Sequence, residues 1–95
     1  MSEIIIKTAE QIEGIRKANQ IVANTLKAIE PFVVAGVTTK ELDEKIHELL
    51  TEAGARSGSL NYGQPPFPGT SCLSLNPVVC HGIPGDRALK SGAIV

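Results

Sequence analysis

A change of sequence character at Gly54 constrains the fold of this chain more than any other feature. Before Gly54, apolar residues recur at the intervals of an amphipathic helix. After it, residues 54–71 contain four glycines and three prolines, a density that excludes a regular helix and predicts a shaped loop. The 95 residues therefore divide into a helical first half and an irregular second half.

The first helix is predicted over residues 8–29. Thr8 and Gln11 have the spacing of a capping box, in which the threonine accepts a hydrogen bond from the third helical N–H. Pro31 ends the helix, because the residue before a proline is driven out of the α region. The apolar stripe of this helix comprises Ile12, Ile15, Val22, Leu26 and Ile29, with Ala18 and Ala23 on the same side.

The second helix is predicted over residues 39–53. Thr38 and Glu41 repeat the capping-box spacing, and Gly54 occupies the position of a C-terminal glycine cap. Its apolar stripe comprises Leu42, Ile46, Leu49, Leu50 and Ala53. The acidic residues fit a solvated face of this helix, and we do not predict them as ligands: Glu41, Asp43, Glu44, Glu48 and Glu52.

Short strands are predicted in the remaining segments. Residues 3–7 are β-branched and read as a strand or an extended N-terminal segment, and residues 71–75 and 78–80 flank an Asn-Pro turn. Residues 93–95 are predicted as the first residues of a strand. Natural domains more often end in polar residues, so an apolar ending suggests an interruption. We therefore predict an α+β arrangement, two helices followed by short antiparallel strands, that is interrupted at residue 95.

The composition excludes several functional classes. A net charge of −1 with a pI near 6.1 gives no basic patch for nucleic acid or an anionic membrane. No apolar run approaches the roughly 18 residues of a membrane span, and no signal peptide is recognisable. The two cysteines lack a disulfide-framework pattern, so we predict a cytoplasmic protein with reduced thiols.

His81 is the first candidate for an active-site side chain. It lies between a predicted strand and Gly82, which suits a hydrogen-bond donor or proton shuttle; a histidine that caps a loop carbonyl is the alternative. Adjacent strand residues point to opposite faces, so we do not predict a thiol protease pair of Cys80 and His81. A zinc site with Cys72 lacks a fourth ligand, because His47 belongs to the second helix. Both cysteines are expected to be buried.

Two aromatic residues and the prolines between them form a stiff loop in the second half. Tyr62 and Phe67 flank Gly63-Gln64-Pro65-Pro66. Such a loop either walls an apolar binding pocket or covers the core, and the residues leave both readings open.

The segment 67–84, F-P-G-T-S-C-L-S-L-N-P-V-V-C-H-G-I-P, resembles type I methionine aminopeptidases. The stretches 6–12, 29–31 and 36–43 are similar to the opening of the same family, so the resemblance covers nearly the whole chain. It implies a pita-bread α/β fold, of which residues 1–95 form the N-terminal part of a single catalytic domain without a separate linker.

The resemblance also implies functional roles. The family removes the initiator methionine from new polypeptides with divalent metal ions, among them Co, Mn, Fe or Zn. The histidine of its H-G-I-P motif matches His81 and hydrogen-bonds the substrate. Phe67 and Cys72 match the methionine pocket, with Tyr62 as a further candidate. The implied partners are a nascent peptide with an N-terminal methionine and the ribosome.

The chain also departs from the family pattern. Pro77, Ser71 and Ala93 stand where the family has a polar or acidic residue, an aliphatic residue and an aspartate, respectively. The family's first metal-binding aspartate would follow Val95, so we expect this chain alone to bind no metal and to be inactive. The alternative is a non-catalytic binding module that engages a ribosome or partner protein. A relative that cleaves proline peptides or has lost activity is a third possibility.

Overall fold

The computed structural model describes residues 3–95 and contains both predicted helices. Helix α1 spans Ala9–Ile29 and helix α2 spans Thr39–Glu52. A short 3₁₀ helix, Glu30–Phe32, follows α1 directly. No helix in this part of the chain is both long enough and apolar enough to cross a membrane.

Both capping boxes are confirmed at atomic level. Thr8 Oγ1 accepts a hydrogen bond from the Gln11 N–H (3.1 Å), and Gln11 Oε1 accepts one from the Thr8 N–H (2.8 Å). At α2, Thr38 Oγ1 accepts the Glu41 N–H and Glu41 Oε1 accepts the Thr38 N–H, both at 3.1 Å. Each helix therefore starts where side chains satisfy N–H groups that have no partner inside the helix.

The predicted strands are wrong. Residues 3–95 contain no β-strand, and their single isolated bridge pairs Thr38 with Ala88. Residues 71–75, 78–80 and 93–95 instead have irregular backbone with turns.

The reason is that these segments meet through isolated hydrogen bonds and not through a ladder. The Leu73 N–H donates to Gly82 O (2.9 Å), and the Asn76 N–H donates to Ile94 O (2.8 Å). Cys80 has φ +67°, which takes it out of the extended region that a strand requires. The β-branched residues and the Asn-Pro turn therefore predicted strands for which the described residues supply no pairing partner.

The core lies between the apolar face of α2, the end of α1 and the second half of the chain. Leu42 is at its centre with 1% exposure. Burial of such an aliphatic side chain contributes about 1.5–3 kcal/mol relative to leaving it in water. The other buried apolar residues are Ile29, Leu75 and Leu89, and partly buried neighbours are Val37, Ile46, Leu49, Leu73 and Ala93.

Backbone hydrogen bonds connect residues 85–89 to the start of α2. The Gly36 N–H donates to Leu89 O and the Leu89 N–H donates to Val37 O, both at 2.7 Å. The Lys40 N–H donates to Gly85 O at 2.9 Å. Helix α2 is therefore held at its N-terminus by the same part of the chain that covers its apolar face.

The apolar stripe of α1 is present, but most of it is exposed. Ile12 and Ile15 are each 47% exposed and Leu26 is 65% exposed, whereas Ile29 alone is buried. The second half of α1, together with α2 and residues 55–59 and 70–73, lines a groove of about 820 Å³, which we call the α1 groove.

Candidate functional site

The segment that precedes Cys72 is attached to α2 through one carboxylate. The Thr70 N–H donates to Asp43 Oδ2 (3.0 Å), and the Ser71 N–H (2.7 Å) and hydroxyl (2.6 Å) both donate to Asp43 Oδ1. Sequence reasoning missed this role and assigned Asp43 to a solvated face. The residue is half-buried, next to Leu42 at the centre of the core.

Thr70 is fixed at each of its other polar atoms. Its Oγ1 lies 3.0 Å from His47 Nδ1, and its carbonyl oxygen accepts a hydrogen bond from the Ser57 hydroxyl. Ser57 Oγ in turn accepts the Ser59 and Leu60 N–H groups, both at 3.1 Å. Because Thr70 is only 8% exposed, these bonds satisfy groups that would otherwise be costly to bury. His47, predicted to belong to the second helix, lies in α2, is exposed and contacts Thr70.

Cys72 is exposed, and so is Cys80, contrary to the prediction that both thiols are buried. The Ser71 side chain points to Asp43 on α2. Cys72 lines the α1 groove together with Ser71, Leu73 and residues of both helices. Because Cys72 is exposed in this groove, its thiol is available to a bound molecule.

Gly82 holds the His81 segment against the Cys72 segment. The Leu73 N–H donates to Gly82 O (2.9 Å), and the Gly82 N–H donates to Ser74 Oγ (3.0 Å). A Cβ atom at position 82 would lie 2.1 Å from Leu73 O, so only glycine fits this approach. The two segments that carry Cys72 and His81 therefore lie side by side.

Cys80 and His81 do not diverge as predicted. Cys80 Sγ lies 3.6 Å from His81 Nε2, and both residues are exposed. The positive φ of Cys80 is the physical reason, because the alternation of side chains holds only for extended backbone. Cysteine rarely adopts this conformation, and no local sequence signal indicated it.

The aromatic loop is closed on itself. The Asn61 N–H donates to Phe67 O (2.8 Å), and the Phe67 N–H donates to Tyr62 O (2.9 Å). Phe67 is half-buried, but Tyr62 is 76% exposed. The tyrosine therefore does not cover the core, and the Tyr62 ring is free to contact a bound molecule.

Metal-ligating side chains do not converge in the structure. Within residues 3–95, no group of three or more His, Cys, Asp or Glu side chains is arranged to hold a metal ion. Asp43 accepts hydrogen bonds from three donors. His47 contacts Thr70, and His81 contacts Cys80. The residues that the structure describes thus form no metal site.

The sequence is similar to proteins of one family. Residues 13–95 match the family model described as "Metallopeptidase family M24". The methionine aminopeptidase of Chlamydia muridarum is 53% identical over 93 residues, which are 98% of this chain and 32% of that protein. That of Haemophilus influenzae is 46% identical over 94 residues, 97% of this chain and 34% of that protein.

A solved structure extends the similarity to the fold. The crystal structure of methionine aminopeptidase from Rickettsia prowazekii matches with a TM-score of 0.89 and 40% sequence identity. The match covers 96% of this chain and 36% of that one, so the chain spans about a third of the length of the relatives it matches. On the family match over residues 13–95, the chain belongs to metallopeptidase family M24.

Proposed function

We propose that this chain is the N-terminal portion of the single catalytic domain of a cytoplasmic methionine aminopeptidase. The whole enzyme would remove the initiator methionine from nascent polypeptides. The observation that carries this proposal is the similarity to the Rickettsia prowazekii enzyme, which extends over 96% of the chain at 40% identity.

His81 is the proposed catalytic residue of this portion. An exposed imidazole beside Gly82 can donate a hydrogen bond to a peptide substrate and so steady the group that reacts. The contact between Gly82 and Leu73 supports this role, because it limits the movement of the backbone that carries His81.

Cys72, Phe67 and Tyr62 are proposed to bind the methionine side chain. A thioether packs well against aromatic rings and other polarisable groups, which this set provides. The exposure of Cys72 and Tyr62 and the half-buried position of Phe67 leave all three accessible to a ligand.

The proposed enzyme uses divalent metal ions, with cobalt, manganese, iron or zinc as candidates. Residues 3–95 bring no suitable group of three ligands together, so we assign no catalytic step of this chain to a metal. The 95-residue chain by itself is accordingly proposed to be inactive.

The exposed stripe of α1 supports a role as part of a larger domain. Apolar surface removed from water contributes about 25 cal/mol per Å², so half-exposed side chains such as Val22 and Leu26 represent stabilisation that this portion does not realise. A nascent peptide is the proposed substrate, and the ribosome is a proposed partner of the whole enzyme.

Methionine release from a Met-Ala-Ser peptide with added Mn²⁺ or Co²⁺ tests the proposal. The chain is compared with a chimera in which it replaces the matching 93 residues of the Chlamydia muridarum enzyme. We expect no release by the chain alone and release by the chimera. Turnover by the chain alone that survives His81→Ala would overturn the assignment of roles. A folded but inactive chimera would favour the non-catalytic binding module, and cleavage of a proline peptide in place of Met-Ala-Ser would favour the third reading.

A further inference from the structure

We propose that Asp43 is a positioning residue for the methionine pocket, and that its carboxylate sets the direction in which Cys72 faces. The assignment of Cys72 to that pocket rests on the proposed function. The contacts of Asp43 do not rest on it, since they are made within the chain.

Both carboxylate oxygens of Asp43 take part in the contact. Oδ2 accepts the Thr70 N–H, and Oδ1 accepts the Ser71 N–H together with the Ser71 hydroxyl. Hydrogen bonds to an ionised acceptor are shorter and stronger than neutral ones. Two oxygens that bind consecutive N–H groups fix the orientation of the backbone as well as its distance from α2.

Cys72 lies between two fixed points of the chain. Residues 70 and 71 are bound by Asp43 on one side, and Leu73 is bound by Gly82 on the other. The position of Cys72 in the α1 groove therefore depends on both fixed points. Loss of the carboxylate would free Ser71 and allow the segment after Thr70 to rotate, while Thr70 keeps its contacts with His47 and Ser57.

Asp43→Asn is the sharpest test, because asparagine keeps the shape of the side chain but has only one acceptor oxygen. Glu44→Gln is the matched control, since Glu44 is exposed on the next position of the same helix. Hydrogen exchange of the Thr70 and Ser71 amides is the first measurement. We expect about tenfold faster exchange in Asp43→Asn, with the α2 amides unchanged, and no change in Glu44→Gln.

A nitroxide label on Cys72, in a Cys80→Ser background, gives a readout of side-chain orientation that general stability does not determine. We expect Asp43→Asn to increase the mobility of the label. Asp43→Glu, which retains both carboxylate oxygens, should return it toward the value of the unsubstituted chain. Unchanged amide exchange and unchanged label mobility in folded Asp43→Asn would overturn the proposal.

Ser71→Ala provides a second variant in case Asp43→Asn fails to fold. It removes one donor and keeps both backbone donors, so we expect a smaller rise in label mobility; no rise would overturn the proposal. Protection of Cys72 from alkylation by Met-Ala-Ser tests the pocket separately. Absence of protection in the unsubstituted chain counts against the proposed function, whereas the exchange and label results still decide the role of Asp43.

Discussion

Helices α1 and α2 begin with the same capping box and carry similar apolar stripes, yet they differ in how much of the stripe is buried. Leu42 of α2 is 1% exposed, whereas Leu26 of α1 is 65% exposed. The difference arises because residues 85–89 and the Thr70 segment pack on α2 and leave the middle of α1 open. Periodicity thus identifies an apolar face, and long-range contacts determine whether that face is covered.

The largest difference between the helices should appear when one leucine of each is truncated. Leu42→Ala removes a buried side chain and should lower the free energy of unfolding by about 2–5 kcal/mol. Leu26→Ala should change it by about 0.5 kcal/mol or less. Urea unfolding followed by circular dichroism measures both. Equal losses for the two variants would show that α1 is packed as tightly as α2.

A glycine pair tests the contact between the His81 and Cys72 segments. Gly82→Ala places a methyl group 2.1 Å from Leu73 O, so it should destabilise the fold by about 1–3 kcal/mol, the range for overpacking. Gly85→Ala is the control, because a Cβ atom there has no neighbour within 4 Å. Thermal unfolding measures both variants. A Gly82→Ala protein as stable as the control would remove the argument that this contact positions His81.

Replacement of the two capping threonines should give the smallest difference in stability between the helices. Thr38→Ala should lower the free energy of unfolding by about 1 kcal/mol, because it removes a cap next to the core. Thr8→Ala should mainly fray the exposed start of α1, with a smaller loss of global stability. Hydrogen exchange of the first-turn amides, together with urea unfolding, separates the two effects. Identical global losses would contradict the view that α1 begins outside the core.

Local signals in the sequence predicted the helices well. The predicted range 8–29 became Ala9–Ile29 and 39–53 became Thr39–Glu52, since the threonine caps and Gly54 act within a few residues of the helix ends. The reason given for Pro31 was wrong, because Glu30 keeps helical angles (φ −50°, ψ −47°) and Pro31 lies in the 3₁₀ helix that follows. The strands were wrong because a strand requires a paired neighbour, and the segments 71–75, 78–80 and 93–95 form only isolated backbone hydrogen bonds. Such pairing is not encoded in the alternation of a single short segment.

The sequence suggested candidate site residues but not the contacts that hold them in place. His81, Cys72 and Phe67 were identified from their motif, whereas Asp43 acts on residues 27 and 28 positions away, a contact that helical periodicity does not reveal. The contact of Cys80 with His81 depends on the positive φ of Cys80, and cysteine is not a residue type that predicts such a backbone angle. The roles of these motif residues stay predictions, whereas their surroundings depend on long-range hydrogen bonds that no motif reveals.

The most direct test of the account is the kcat for methionine release by the Chlamydia muridarum chimera with and without His81→Ala. A positioned acid–base or hydrogen-bonding side chain contributes about 10²–10⁴ to a rate, so His81→Ala should lower kcat by at least about 100-fold. Folding of the variant is verified by circular dichroism. An unchanged kcat in a folded His81→Ala chimera would contradict the claim that this chain supplies a catalytic residue.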